Sequence, residues 1–345
     1  MVPKRDKLVM PSLNSDRIYI VDTGTNPRKP EMFKEIGEEV FRKHNVTAPH
    51  TTHCLADGNI MISTMGDSEG NAKGDFILFN KDFECVGTWT KGKTALCGYD
   101  FWYQPYFNTM ISSEWGAPKL FRRGWEDSDL DDLTQYGCRL NVYDWTERKL
   151  RQTIDLGQDG FTPLEIRFLH DPKEPQGFVG CCLNAKVFHF YKEPDSDKFV
   201  ATKVIDCYPK KVEGYSSEYV NGMMSDILLS LNDKFLYFSN WLHGDVRQYD
   251  VSDPKNPKLT GQIFLGGKIL KDSNVKVIED KELSEQPSPC YIKDRRLYGG
   301  PQMLQLSLDG KRLYVSSSLY SPWDKMFYPE MSKMVELLYK STVIL

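Results

Sequence analysis

Two eleven-residue stretches, Leu229-Ser230-Leu231-Asn232-Asp233-Lys234-Phe235-Leu236-Tyr237-Phe238-Ser239 and Leu306-Ser307-Leu308-Asp309-Gly310-Lys311-Arg312-Leu313-Tyr314-Val315-Ser316, share one order of small, apolar, turn, basic and aromatic residues. Copies of one supersecondary unit are the mark of a modular fold, in which each copy buries its apolar face against the next. In the first copy an Asn-Asp turn separates two apolar strand-like runs, so the unit reads as a β-hairpin.

The remaining sequence agrees with that reading. β-Rich runs recur at Arg17–Asp22, Asp75–Phe79, Leu140–Trp145, Lys186–Tyr191 and Asp245–Asp250. Each is followed by a polar turn and a second strand-like run, giving a hairpin roughly every 50 to 65 residues. The pattern predicts an all-β fold made of propeller-like blades, and such folds extend as one unit well past ordinary domain length. Helical signals are few. Pro30–Lys43 reads as a short amphipathic helix between blades and Glu126–Leu133 as an acidic loop or helical turn. The aspartates 127, 129, 131 and 132 lack the internal Gly and terminal Glu of an EF-hand loop, so a solvated charged loop is expected there.

Composition excludes several function classes. The chain has 345 residues with 44 basic and 48 acidic side chains, and the basic ones form no stripe suited to phosphates, so no nucleic-acid partner is expected. No apolar run approaches the ~20 residues of a membrane span, and the basic opening is not followed by a secretory core, so no transmembrane span is expected. The expected location is cytoplasmic, with nuclear or peripheral-membrane pools left open. Eight irregularly spaced cysteines without a Cys-x-x-Cys pair read as reduced thiols. Cys181 and Cys182 are neighbours that would face opposite ways on a strand, so they are poor joint ligands, and at least one is expected in the core. Gly-rich phosphate loops and nucleophile elbows are absent from the sequence.

The most suggestive chemistry lies in His50-Thr51-Thr52-His53-Cys54, where two imidazoles and a thiol fall within five positions. On a regular strand His50 and His53 would face oppositely; on a helical turn or in a loop they could converge. Polar surface residues beside a core cysteine are the alternative reading. His170 and His243 each end a strand-like apolar run that could deliver them to the central channel of a propeller; taken singly each reads as a hydrogen-bonded structural histidine, and taken with His50 and His53 as part of an all-imidazole site. Glu114 and Glu165 sit beside apolar strands, either as acceptors orienting imidazole ligands or as Arg-paired structural carboxylates. His44 and His189 are left outside the site.

Four segments, Thr51–Ala56, Gly98–Pro105, Pro163–His170 and Phe238–Asp245, together resemble the animal selenium-binding protein family, which includes methanethiol oxidase; Gly299–Met303 and Ser321–Lys325 extend the likeness. The resemblance implies a β-propeller of about seven blades, incomplete or atypically closed here, over residues 1–329, with a divergent end at 330–345. The family's first region, with its Cys-Ser-Ser-Cys segment, and its last part are expected to be missing. It implies oxidation of methanethiol by oxygen and water to formaldehyde, hydrogen sulfide and hydrogen peroxide, with methanethiol and oxygen as partners. Copper is the implied metal, with zinc an alternative for the same ligands, and selenium is an implied bound element. His50, His53, His170 and His243 match the family's metal-centre histidines, and Glu114 and Glu165 its acidic positions; Cys54 is read either as a catalytic thiol forming a sulfur or selenium adduct or as a packed thiol beside the ligands. A non-catalytic propeller that binds selenium or protein partners is the competing function.

Overall fold

In the computed structural model, which describes residues 5–331, strands dominate and helices are short. The chain divides into two compact units: Met1–Phe101 with Met110–Gly137 and Asn141–Thr153, and Trp102–Thr109 with Cys138–Leu140 and Ile154–Leu345.

The first unit contains a three-stranded antiparallel sheet, Lys7–Ser12, Arg17–Asp22 and Glu31–Ile36, and a four-stranded one, Thr47–Cys54, Ile60–Gly66, Ala72–Phe79 and Cys85–Thr88, both joined in sequence order. Strand periodicity explains the core. In Arg17–Asp22 only Ile18 and Ile20 are fully buried, because alternate side chains point to one face. They meet Ile36, Phe41, Ile60, Ile62, Ile77 and Phe79 in one cluster. Ile60–Gly66 is buried at every position, as a middle strand covered on both faces must be. Phe101–Gln104, Thr109–Ser112, Arg139–Asp144 and Lys149–Asp155 form another four-stranded sheet.

The second unit repeats the motif twice. Pro163–Phe168, Gln176–Cys181, Lys186–Lys192 and Phe199–Asp206 form one antiparallel meander; Met224–Leu229, Phe235–Asn240, Asp245–Asp250 and Lys258–Phe264 form the next. Their facing surfaces bury Phe178, Val187, Ile205, Ile227, Leu236 and Phe238 together. Such meanders are the blades of a β-propeller. The repeated hairpins have the expected form. Asp233 takes φ +58° in the turn of the first copy, and Gly310 φ +68° between Leu304–Leu306 and Leu313–Val315 in the second. Asp is among the few side chains that tolerate this left-handed conformation.

The expected helix at Pro30–Lys43 is only half present. Glu31–Ile36 is a strand paired with Arg17–Asp22, and the helix is confined to Glu38–Lys43. Pairing with a neighbouring strand satisfied the backbone of the first half and overrode its helical spacing. The acidic segment contains a 3-10 turn, Asp127–Asp131, as expected of a helical turn. Cys181 and Cys182 are both buried. The divergent end expected at 330–345 lies, from 332 onward, outside the described residues.

Candidate functional site

His50 and His53 lie on strand Thr47–Cys54, which has a fault in its register. Pro49 faces Thr64 while Thr52 faces Ile62, so three steps on one strand match two on the other. This one-residue bulge reverses the alternation, and side chains three apart come to share a face. Their contacts agree: the His50 ring lies 4.1 Å from that of Tyr99, and the His53 ring 4.6 Å from that of Phe101, two residues further along. The bulge is pinned by Ser63, whose Oγ accepts from the Thr51 N–H at 2.9 Å and donates to the Tyr99 carbonyl at 2.6 Å. His50 Nδ1 is 3.2 Å from Thr51 Oγ1. Burial pulls the His50 pKa down to about 4 against the opposing charge of Asp100, so the ring is neutral at pH 7, the form that binds metals. Cys54, which ends the strand, is exposed rather than packed beside the imidazoles.

Glu114 is fully buried and accepts a hydrogen bond from Asn141 Nδ2 at 3.0 Å; Asn141 Oδ1 in turn accepts from Thr153 Oγ1 at 3.1 Å. A Cβ on Gly137 would stand 2.2 Å from Glu114 Oε2, so only glycine leaves room for the carboxylate there.

In the second unit Glu165, 4% exposed, is Arg-paired, as one of the two sequence readings held: Arg167 Nη2 donates to its Oε2 at 2.8 Å. The same guanidinium is 3.9 Å from Asp226 of the next blade and stacks over Trp102 at 5.1 Å. Arg167 thereby laces three strands together, Phe101–Gln104, Pro163–Phe168 and Met224–Leu229, with a charge-assisted bond, a longer ion pair and a cation–π contact.

The two remaining histidines are not brought together. His170 is 42% exposed, and its Nδ1 lies 2.7 Å from Asp233 Oδ1. Asp233 also accepts the main-chain N–H groups of His170 and Asp171 at 2.9 and 3.1 Å. Asp233 precedes strand Phe235–Asn240, whereas His243 follows it, so about 20 Å of extended chain separates the two ends. The expectation of joint delivery fails here because consecutive connections of a meander lie at opposite ends. His243 is fully buried, and its Nε2–H donates to the Val220 carbonyl at 2.9 Å. Its Nδ1 is buried without a hydrogen-bond partner. Burial lowers this pKa too to about 4, Asp245 opposing. A fixed Nε2–H with a bare Nδ1 is how a protein presents a neutral imidazole to a metal. Among the described residues, no three or more His, Cys, Asp and Glu side chains stand grouped so as to hold a metal ion.

Residues 1–343 match the family described as 56kDa selenium binding protein. The chain belongs to that family. It is 57% identical over 332 residues to a methanethiol oxidase of Xenopus tropicalis, spanning 95% of this chain and 70% of that one. A human methanethiol oxidase is 53% identical over 330 residues, covering 95% and 69%, and mouse selenium-binding protein 2 is 52% identical over the same length and shares. The X-ray structure of a selenium-binding protein from Sulfolobus tokodaii superposes with a TM-score of 0.83 at 35% identity, over 94% of this chain and 70% of that one. A Pseudomonas aeruginosa gluconolactonase superposes at 0.55 with 10% identity, a likeness of fold alone. The family member described here is thus all-β and of propeller type.

Sequence reasoning missed Asp100, Asp226 and Arg167. The repeat carried a signal for the first two: Tyr99-Asp100-Phe101, Leu164-Glu165-Ile166 and Ser225-Asp226-Ile227 place an acid at one point of successive units. All three carboxylates are buried. Arg167, two residues after Glu165, carried no signal beyond its charge.

Proposed function

We propose that this chain is a methanethiol oxidase, converting methanethiol, oxygen and water to formaldehyde, hydrogen sulfide and hydrogen peroxide. The reading rests on the bulge that turns His50 and His53 to one face, in a chain more than half identical to proteins of that name. The imidazoles of His50 and His53 suit a copper ion in donor type, and His50 also in protonation state. His50 and His53 in the first unit, and His243 in the second, have the character of ligands; His170, tied to Asp233, does not. Copper, when bound, supplies one-electron redox chemistry and favours the thiolate form of a coordinated thiol. Tyr99 and Phe101 lie tilted against the imidazoles and limit the ring orientations. Asp100 sets a negative charge near His50. Cys54 stands exposed beside His53, where it is open to a sulfur or selenium adduct.

The test joins metal analysis with product detection. Purified protein is expected to retain copper after dialysis and to release hydrogen sulfide from methanethiol, with both lost in His53→Ala. Protein that holds no metal after reconstitution and releases no sulfide, yet retains selenium, would be the non-catalytic binding propeller instead.

A further inference from the structure

The segment Ser321–Lys325 matched the family without acquiring a task, and its surroundings supply one. It lies in helix Ser321–Phe327, and the next residue, Tyr328, is 5% exposed. The Tyr328 hydroxyl donates to the Trp241 carbonyl at 2.8 Å, and its ring meets the Trp241 ring edge-on at 4.9 Å. Phe327 adds a second edge contact to Trp241 at 5.3 Å. Lys268 braces the wedge, its Nζ donating to the Phe327 carbonyl at 2.7 Å and lying 5.2 Å over the Tyr328 ring.

What this wedge grips is the turn that carries His243. The Asn240 carbonyl accepts from the Gly244 N–H, the Leu242 carbonyl from the Lys268 N–H and the Gly244 carbonyl from the Leu265 N–H, each at 2.8 Å. Tyr328 adds the one side-chain hydroxyl among these ties, at the carbonyl two residues before His243. Without it the Trp241 carbonyl is buried without that donor, and the Trp241–Leu242 peptide is held only through its N–H, which donates to the Gly222 carbonyl at 2.9 Å; a tilt about that tie moves the His243 Cα and its reach to Val220. A Cβ on Gly300 would fall 1.7 Å from the Trp241 oxygen, so backbone closes the other side.

We propose that Tyr328 is a positioning residue for His243: its hydroxyl holds the Trp241 carbonyl and so fixes the orientation in which the imidazole donates through Nε2 and presents Nδ1. The proposal rests on the reading above, in which His243 is a metal-binding imidazole of the oxidase. Partners that orient an imidazole in this way change metal affinity by about ten-fold or more when removed.

The experiment uses the full chain. Tyr328→Phe removes only the hydroxyl; His243→Asn removes the imidazole, and Tyr208→Phe, at an exposed tyrosine, is the control. Each protein is followed by nitrogen–proton correlation of its histidine rings, by copper(II) equilibrium dialysis, and by the kcat and KM of hydrogen sulfide release. Tyr328→Phe is expected to shift the His243 ring signals, to weaken copper binding about ten-fold, and to lower kcat with little change in KM. Tyr208→Phe should do none of these. If His243→Asn weakens copper binding while Tyr328→Phe leaves the ring signals and the affinity unchanged, the positioning role is wrong. If Tyr328→Phe shifts the ring signals but His243→Asn leaves copper affinity unchanged, the positioning stands and the functional reading of His243 falls. Should Tyr328→Phe not fold, Lys268→Met applies the same criterion, since without the ammonium that braces the Phe327 carbonyl and the Tyr328 ring the hydroxyl loses its fixed reach to the Trp241 carbonyl; unchanged His243 signals there would also overturn the proposal.

Discussion

Removing Asp233 should destabilise the fold far more than removing the histidine it holds. Asp233 accepts from two main-chain N–H groups and one imidazole, and so joins the end of strand Pro163–Phe168 to the turn after Met224–Leu229. His170→Ala loses one contact at a 42% exposed ring, and exposed pairs of this kind contribute at most about 1 kcal/mol. Asp233→Ala also leaves two N–H groups without their charged acceptor, at about 1 kcal/mol each allowing for rehydration. It further places alanine at φ +58°, for roughly another 1 kcal/mol. The sum is about 3 to 4 kcal/mol against about 1. Asp233→Asn keeps an acceptor and the tolerance for a left-handed residue, and should fall between. Urea unfolding at pH 7.5 with an unchanged m-value measures all three variants, and copper dialysis on His170→Ala should match the parent. Equal destabilisation by His170→Ala and Asp233→Ala, or a loss of copper binding in His170→Ala, would refute the clasp.

Two further outcomes follow from buried charge. His50, His189 and His243 have pKa values lowered by burial to about 4, so between about pH 6.5 and 4 the unfolded chain binds protons that the native one does not. Stability should then fall by about 2 kcal/mol per imidazole from pH 7 to 5. For His189 this is measured by comparing urea midpoints of His189→Gln with the parent at both pH values, and the variant should lose less on acidification. Arg247, 1% exposed, is bound to Asp245 and bidentate to Glu282, which Lys210 also holds. Arg247→Met leaves the buried Asp245 without its cation and Glu282 with Lys210 alone, and should cost about 3 to 5 kcal/mol in thermal or urea unfolding; a loss below about 1 kcal/mol would mean that water reaches the network.

The parts legible in sequence were those set by local pattern. The turn at Asn232-Asp233 and its copy at Asp309-Gly310 were readable because few residues take positive φ, and the alternation in Arg17–Asp22 because one face is buried. The strand at Glu31–Ile36 was hidden, since its partner Arg17–Asp22 decides it and its own residues do not. The facing of His50 and His53 was hidden as well. Spacing of three on a regular strand separates them, and only a register shift against Ile60–Gly66 unites them. The Glu165–Arg167 pair was readable as one of two alternatives, while the third strand it draws in, through Trp102, needed the fold.

One backbone device recurs at the entry to three first strands. Ala48, Thr162 and Met223 all have φ between +52° and +56°, all are buried, and none is glycine. Each is followed directly by a one-residue bulge: between Pro49 and Thr52, between Pro163 and Ile166, and between Met224 and Asp226. A non-glycine residue held in this conformation costs about 1 kcal/mol or more and persists where the surroundings over-determine it. The repeat therefore supplies the same strained entry and the same extra residue three times, and the local sequence decides what the bulge displays. In the first case it displays His50, in the second Glu165 with Arg167 close behind, in the third Ser225 ahead of Asp226. A propeller-type scaffold diversified in this way can change its chemistry through one or two side chains per blade without altering a single ladder of hydrogen bonds.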